Sequence, residues 1–296
     1  MKTIYKKKVL LILLSFLLII HFVPQSTAEE DIQIVCTNSV LADFTSNILT
    51  ENVSIDYIMP AGACPSHFDT VPSDISKIVN ADIIISLGWE PWLESLLNKS
   101  GNMDYTQIKC KGLGEWNIPT GATSYVKIIR DGLAAAIPEK QEIIKENANN
   151  YLSQINQTGQ ELKDKIETQN LLNRKIVSMQ WHKDFLEWIG FNVTYSYLPP
   201  ERLSVQDELD VINAASEPEI SAVIDNLQSG TAFGAKVAGE TGINHVIFTN
   251  FPGAVPNTNS YLEMISYNTD QLIDGITSFD QTSLHIKELQ NQNNTL

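Results

Sequence analysis

The chain has 296 residues, with 20 Lys and Arg against 35 Asp and Glu, 43% hydrophobic and 8% aromatic content, and three cysteines. All four charges of the first 28 residues are lysines, so the chain beyond Ala28 carries 16 basic and 35 acidic side chains, a net charge of −19. That balance excludes a nucleic-acid binder, whose affinity for phosphate rests on clustered Lys and Arg, and the length suits two domains with a core each.

Lys6, Lys7 and Lys8 precede an apolar run over 9–23 and small residues ending at Ala28, the layout of a secretory signal peptide. The run of roughly 15 residues is short for a membrane span, which needs about 20. The alternative is an uncleaved amino-terminal anchor. Cys36 does not directly follow the run, which argues against a lipid-anchored cysteine. The mature protein is expected outside the cytoplasm, in an oxidising compartment where two of Cys36, Cys64 and Cys110 can pair. Asn52, Asn98, Asn156, Asn192 and Asn293 open Asn-X-Ser/Thr tripeptides, either glycan acceptors or chance occurrences.

From residue 29 to 137 the pattern predicts an amino-terminal α/β lobe. Strands are read at 32–36, 53–59, 83–85 and 105–110, with helices through 40–49, from Pro72 and over 91–97. Proline at a first helical turn is favourable because its missing N–H has no partner there anyway. A stretch over 138–170 has no strand signal. Ile144, Ala148, Tyr151, Ile155, Leu162 and Ile166 form one stripe of a helix about 50 Å long, with Gly159 weakening it or breaking it in two. Strands resume at 176–179, 191–197, 222–225 and 246–248, alternating with helices over 182–189, 204–215, 231–241 and 260–277, which defines a second lobe over 171–280. Residues 281–296 read as a polar tail. The fold class is therefore α/β: two lobes of parallel sheet flanked by helices, joined by one long backbone helix, with a ligand cleft between them.

In open parallel sheets, ligands sit outside the carboxyl ends of the strands. The loop after the second strand, 60–74, carries Cys64, His67 and Asp69, and imidazole and thiolate are good donors for zinc-like ions. His182 follows the first strand of the other lobe. One histidine from each lobe would close the cleft on a metal; otherwise His67 is a loop histidine and His182 caps its helix.

The order of elements, and several short segments in that order, resemble the metal-binding solute receptors of ABC importers, the zinc and manganese group with a rigid helical backbone. Residues 64–74, Cys-Pro-Ser-His-Phe-Asp-Thr-Val-Pro-Ser-Asp, are similar to that family's Asp-Pro-His-x-Tyr-Glu-Pro-x-Pro-x-Asp, with the histidine one place later. Gly88-Trp89-Glu90-Pro91-Trp92-Leu93 resembles its Gly-x-Glu-Pro-Trp-Leu. The segment around His182 and Phe185, Ala238-Gly239-Glu240-Thr241-Gly242, and the Tyr261, Leu262, Met264 and Asn268 pattern also match. The resemblance implies a divalent metal, zinc or manganese, as transported ligand, no organic cofactor, an ABC permease as partner, a monomer and no catalytic activity. It implies metal donors at His67 and His182, with Asn250 as a weaker neutral donor where the family has a carboxylate; Cys64 and Asp69 are replacement donors, and Glu90, Glu115, Trp116 and Asp225 are further cleft contacts.

The departures fall on the ligands. Where the family has His-x-Trp this chain has Glu115-Trp116-Asn117, and where it has a carboxylate before Pro-Leu-Gly this chain has Asn250. By the family's strand order, Cys64 is either a donor or paired with Cys36. The incomplete set leaves a receptor for a metal chelate or small solute, or an adhesin with a vestigial cleft, as alternatives. No phosphate loop, His-Glu-x-x-His or Gly-x-Ser-x-Gly elbow is present, which argues against an enzyme.

Overall fold

The structure is a computed structural model that describes residues 31–111 and 115–293. Residues 1–28, where the signal peptide is expected, lie outside that range. In the first lobe β1 (Ile32–Cys36), β2 (Val53–Tyr57), β3 (Ile83–Ser86) and β4 (Thr106–Lys109) form an all-parallel sheet in the order β2-β1-β3-β4. Four strands of the second lobe, β5 (Lys175–Met179), β6 (Asn192–Tyr197), β7 (Ile220–Asn226) and β8 (Asn244–Phe248), repeat it as β6-β5-β7-β8. The chain reverses its direction of strand addition at β1/β3 and again at β5/β7. Those are the switch points where loops diverge and leave a crevice.

Central strands are apolar on both faces because helices cover both: every residue of β3 and of β7 is buried. The edge strand β2 alternates half-buried and exposed. Helix α1 (Ser39–Ile48) starts at Asn38, whose side chain accepts the Leu41 N–H at 3.1 Å. Helix α2 (Pro72–Val79) has proline in its first turn and Asp74 accepting the Val71 N–H at 2.8 Å. Helix α3 (Leu93–Ser100) ends on Gly101, in the left-handed region at φ 67°.

Helix α4 (Pro119–Ala136) was not foreseen. It buries Tyr125, Val126, Ile129 and Leu133 against the first sheet and the backbone helix. After a 3₁₀ turn at Pro138–Lys140, the backbone helix α5 (Gln141–Thr168) runs unbroken for 28 residues, about 42 Å, and buries the expected stripe. Gly159 lies on the buried side: a Cβ there would stand 3.0 Å from the Trp188 ring and 3.2 Å from Pro119. The glycine marks close packing against residues of both lobes and does not break the helix.

The second lobe adds α6 (Gln180–Ile189), α7 (Val205–Ala215), α8 (Ala232–Thr241) and α9 (Tyr261–Asn293). Residues expected as a polar tail from 281 thus continue α9 as far as 293. One apolar core runs from the first lobe along α5 into one side of the second, and a smaller core fills the other side around Val177, Val211 and Val237. Among the described residues no helix is long and apolar enough to cross a membrane.

The expected cysteine pairing is not found, and all three cysteines are free. Cys36 is buried with its Sγ 3.7 Å from Thr45 Oγ1, and burial pushes its thiol up to about 12. Cys110 is also buried, and Cys64 lies at the cleft.

Candidate functional site

Both switch points open toward the interlobe cleft. On the first-lobe side the loop from Pro60 is folded by two tight turns, the Ala63 N–H donating to Pro60 O at 2.9 Å and the His67 N–H to Cys64 O at 3.1 Å. Phe68 holds the loop down, its ring edge-on to Trp92 at 5.0 Å. This geometry puts Cys64, Pro65 and Ser66 on the cleft wall and leaves the His67 side chain exposed.

The cleft contains a partly open cavity of about 60 Å³. Cys64, Pro65, Ser66, Trp89 and Trp116 line it from the first lobe; Trp181, Asn226, Gln228, Ser229, Asn250 and Phe251 line it from the second. Apart from the Cys64 thiol, none of these side chains is ionisable.

Five hydrogen bonds between neutral groups tie the lobes together around the cavity. Gln228 Nε2 donates to Ala61 O at 2.8 Å, Trp116 Nε1 to Asn250 O at 2.8 Å and Ser39 Oγ to Pro252 O at 2.8 Å. Asn117 Nδ2 donates to Trp181 O at 3.0 Å and to Asn250 Oδ1 at 3.1 Å. Trp116 also packs on Phe251, with ring centroids 5.5 Å apart. All these groups are buried or half-buried, where a satisfied bond is worth most and a broken one costs most.

His182 stands one layer behind this wall. It is 1% exposed, lies edge-on to Phe248, and its Nε2 is 3.0 Å from Asn226 Nδ2. Asn226 Oδ1 accepts the Ser229 N–H at 3.0 Å, which turns its amide nitrogen toward the imidazole. His182 Nε2 is therefore the acceptor and the ring is neutral. Burial pushes its pKa down to about 3.

The carboxylates predicted as cleft contacts are engaged elsewhere. Both oxygens of Glu90 fold back on their own loop, accepting from the N–H groups of Leu87 at 2.7 Å, Gly88 at 2.8 Å and Trp89 at 3.1 Å, and from the Thr37 hydroxyl. Asp225 is fully buried inside the second lobe and accepts from Tyr197 OH at 2.7 Å and Gly234 N at 2.9 Å, with His245 Nε2 at 3.0 Å. Asp69 and Glu115 are exposed and do not line the cavity. Of the predicted residues the structure brings Cys64, Trp116 and Asn250 to the cavity, with His182 behind it. Among the described residues no three His, Cys, Asp or Glu side chains are grouped to hold a metal. Ser66, Asn117, Asn226 and Gln228 were missed. Ser66 had a signal, since it occupies the place of the loop histidine in the resemblance, whereas the amides had none.

Two equivalent parallel sheets, a rigid connecting helix and a cleft between switch points define a two-lobed solute-binding protein of the helical-backbone type. The chain belongs to the family described as ZnuA, zinc-uptake complex component A, periplasmic, whose profile matches residues 34–275. It is similar to the manganese-binding lipoprotein MntA of Halalkalibacterium halodurans, at 26% identity over 84% of this chain and 89% of that protein. It is also similar to the manganese ABC transporter substrate-binding lipoprotein PsaA of Streptococcus anginosus, at 24% identity over 92% and 99%. Among solved structures, a periplasmic metal binding protein from Candidatus Liberibacter asiaticus shares the fold with a TM-score of 0.68, at 21% identity over 82% of this chain and 98% of that one.

Proposed function

We propose that this protein is the extracytoplasmic solute-binding subunit of an ABC importer, that it captures divalent metal of the zinc and manganese class in the interlobe cleft, and that it delivers this cargo to a membrane permease. The family match across 34–275 carries the reading, and the names of the relatives, two of them manganese receptors, supply the metal. The protein acts by binding and release, without catalysis, as a monomer. Of the predicted donors, Cys64 and Asn250 line the cavity that would receive this cargo, and His182 stands one layer behind it.

Elemental analysis of the full chain, purified after growth with zinc and manganese, tests the reading. About one equivalent of metal per chain, with impaired metal uptake when the protein is deleted from its host, is the expected result. Metal-free protein together with unchanged uptake overturns it.

A further inference from the structure

A dication needs lone pairs and negative charge around it, because burial among neutral groups leaves its desolvation uncompensated. The cavity wall offers little of either: it has no carboxylate or imidazole, its one ionisable group is the Cys64 thiol, and its only unengaged side-chain oxygens are the Ser66 and Ser229 hydroxyls. The side-chain oxygens of Asn226, Gln228 and Asn250 each already accept a protein hydrogen bond, from Ser229 N, from Asn250 N and Asn226 Nδ2, and from Asn117 Nδ2. Beside these acceptors stand groups of another kind. Asn250 Nδ2 is a donor without a partner among the described residues, and the half-buried Trp89 and Trp181 present indole surface, with the buried Trp116 beside them. An N–H donor among aromatic faces suits a planar organic ligand with a carboxylate oxygen, not the metal such a ligand holds.

We infer that the cargo enters this cavity as a metal complex of low net charge, its organic ligand seated against Trp89 and Trp181, and not as a bare dication coordinated by side chains. The inference rests on the metal-receptor reading above and specifies the form in which the metal is taken. The cavity is small and partly open, so one face of the complex seats inside while the rest lies at the mouth. Charge compensation is then carried by the chelator, and the neutral amides that tie the lobes need not be displaced.

The test uses the full chain, tryptophan fluorescence and equilibrium dialysis with metal analysis. The probes are Zn²⁺ and Mn²⁺ alone, their neutral 1:2 complexes with L-histidine and with picolinate, and the two organic ligands alone. At least one neutral complex is expected to be retained 1:1, about 100-fold more tightly than its ion. Trp181→Ala should weaken that binding about tenfold and Trp181→Phe should restore most of it. Trp89→Ala is a second variant should the first fail to fold, both rings being only half-buried. Ions bound as tightly as complexes overturn the inference and leave the metal receptor standing. Organic ligands retained equally well without metal overturn both. A panel with no retained probe overturns the inference.

Discussion

Protonating His182 means placing a cation in a site with no solvent and no counter-charge, facing an amide nitrogen that is itself a donor. Its folded pKa of about 3 lies below the unfolded value of 6.5, so between those values the unfolded chain binds more protons. Stability is complete above 6.5 and falls as pH drops through that window. The expected loss from pH 7 to pH 5 is about 2 kcal/mol, read as a melting temperature lower by roughly 4–8 °C. His182→Gln, which keeps an acceptor but does not titrate, should remove this dependence; the same slope in wild type and variant refutes the assignment. Glu90 gives a second residue-scale expectation. Glu90→Ala strands three backbone N–H groups and the Thr37 hydroxyl and should cost about 2–4 kcal/mol in urea unfolding, whereas Glu90→Gln, retaining one oxygen, should cost less. Neither role was legible in the sequence. Glu90 looked like a free carboxylate after a strand, because a side chain that bonds its own loop has the same local pattern as one that reaches outward. The sequence reads His67 as a metal donor, with a loop histidine as the alternative, and the structure leaves it exposed outside the cavity lining. The one-place offset that turns it to solvent and Ser66 to the cleft depends on a backbone turn that spacing does not specify.

Helices and strands were more legible than the contacts between them. The apolar runs of β1, β3, β5 and β7 and the stripe on α5 could be read directly, because burial on both faces or on one stripe leaves a periodic signature. Helix α4 escaped because Gly121 and Gly132 interrupt its pattern. The structure shows why they are there: a Cβ at Gly132 would meet the Ile108 side chain at 2.7 Å, and one at Gly121 would overlap Glu115 O. Small residues let α4 lie close on β4 and on the turn before it. Gly159 in α5 follows the same logic with more room. Gly159→Ala should change stability by less than about 1 kcal/mol, since the gain in helix propensity offsets the tight approach to Trp188 and Pro119. Gly159→Leu should destabilise by about 1–3 kcal/mol in the same assay, by forcing Trp188 or Pro119 aside. A stabilising leucine would show that α5 is packed less closely there.

The two-lobed plan and its cleft were readable from the alternation of elements, while the bonds that cross the cleft were not. Trp116 and Asn250 lie 134 residues apart, Ala61 and Gln228 167, Ser39 and Pro252 213. Partners so far apart are made neighbours by topology alone, and an isolated Asn or Gln carries no mark of a distant carbonyl. The apolar core that continues from the first lobe along α5 into the second has a consequence for how the molecule comes apart. Two halves that share one dry interior cannot melt in turn, so calorimetry should record a single endotherm whose van't Hoff and calorimetric enthalpies agree. A backbone nick engineered in the 3₁₀ turn at Pro138–Lys140 should leave fragments that stay associated and unfold together. Two separate endotherms would mean that each half is thermodynamically its own body. If the halves do rise and fall as one, damage to either half of the chain is felt at once by the cleft midway between them.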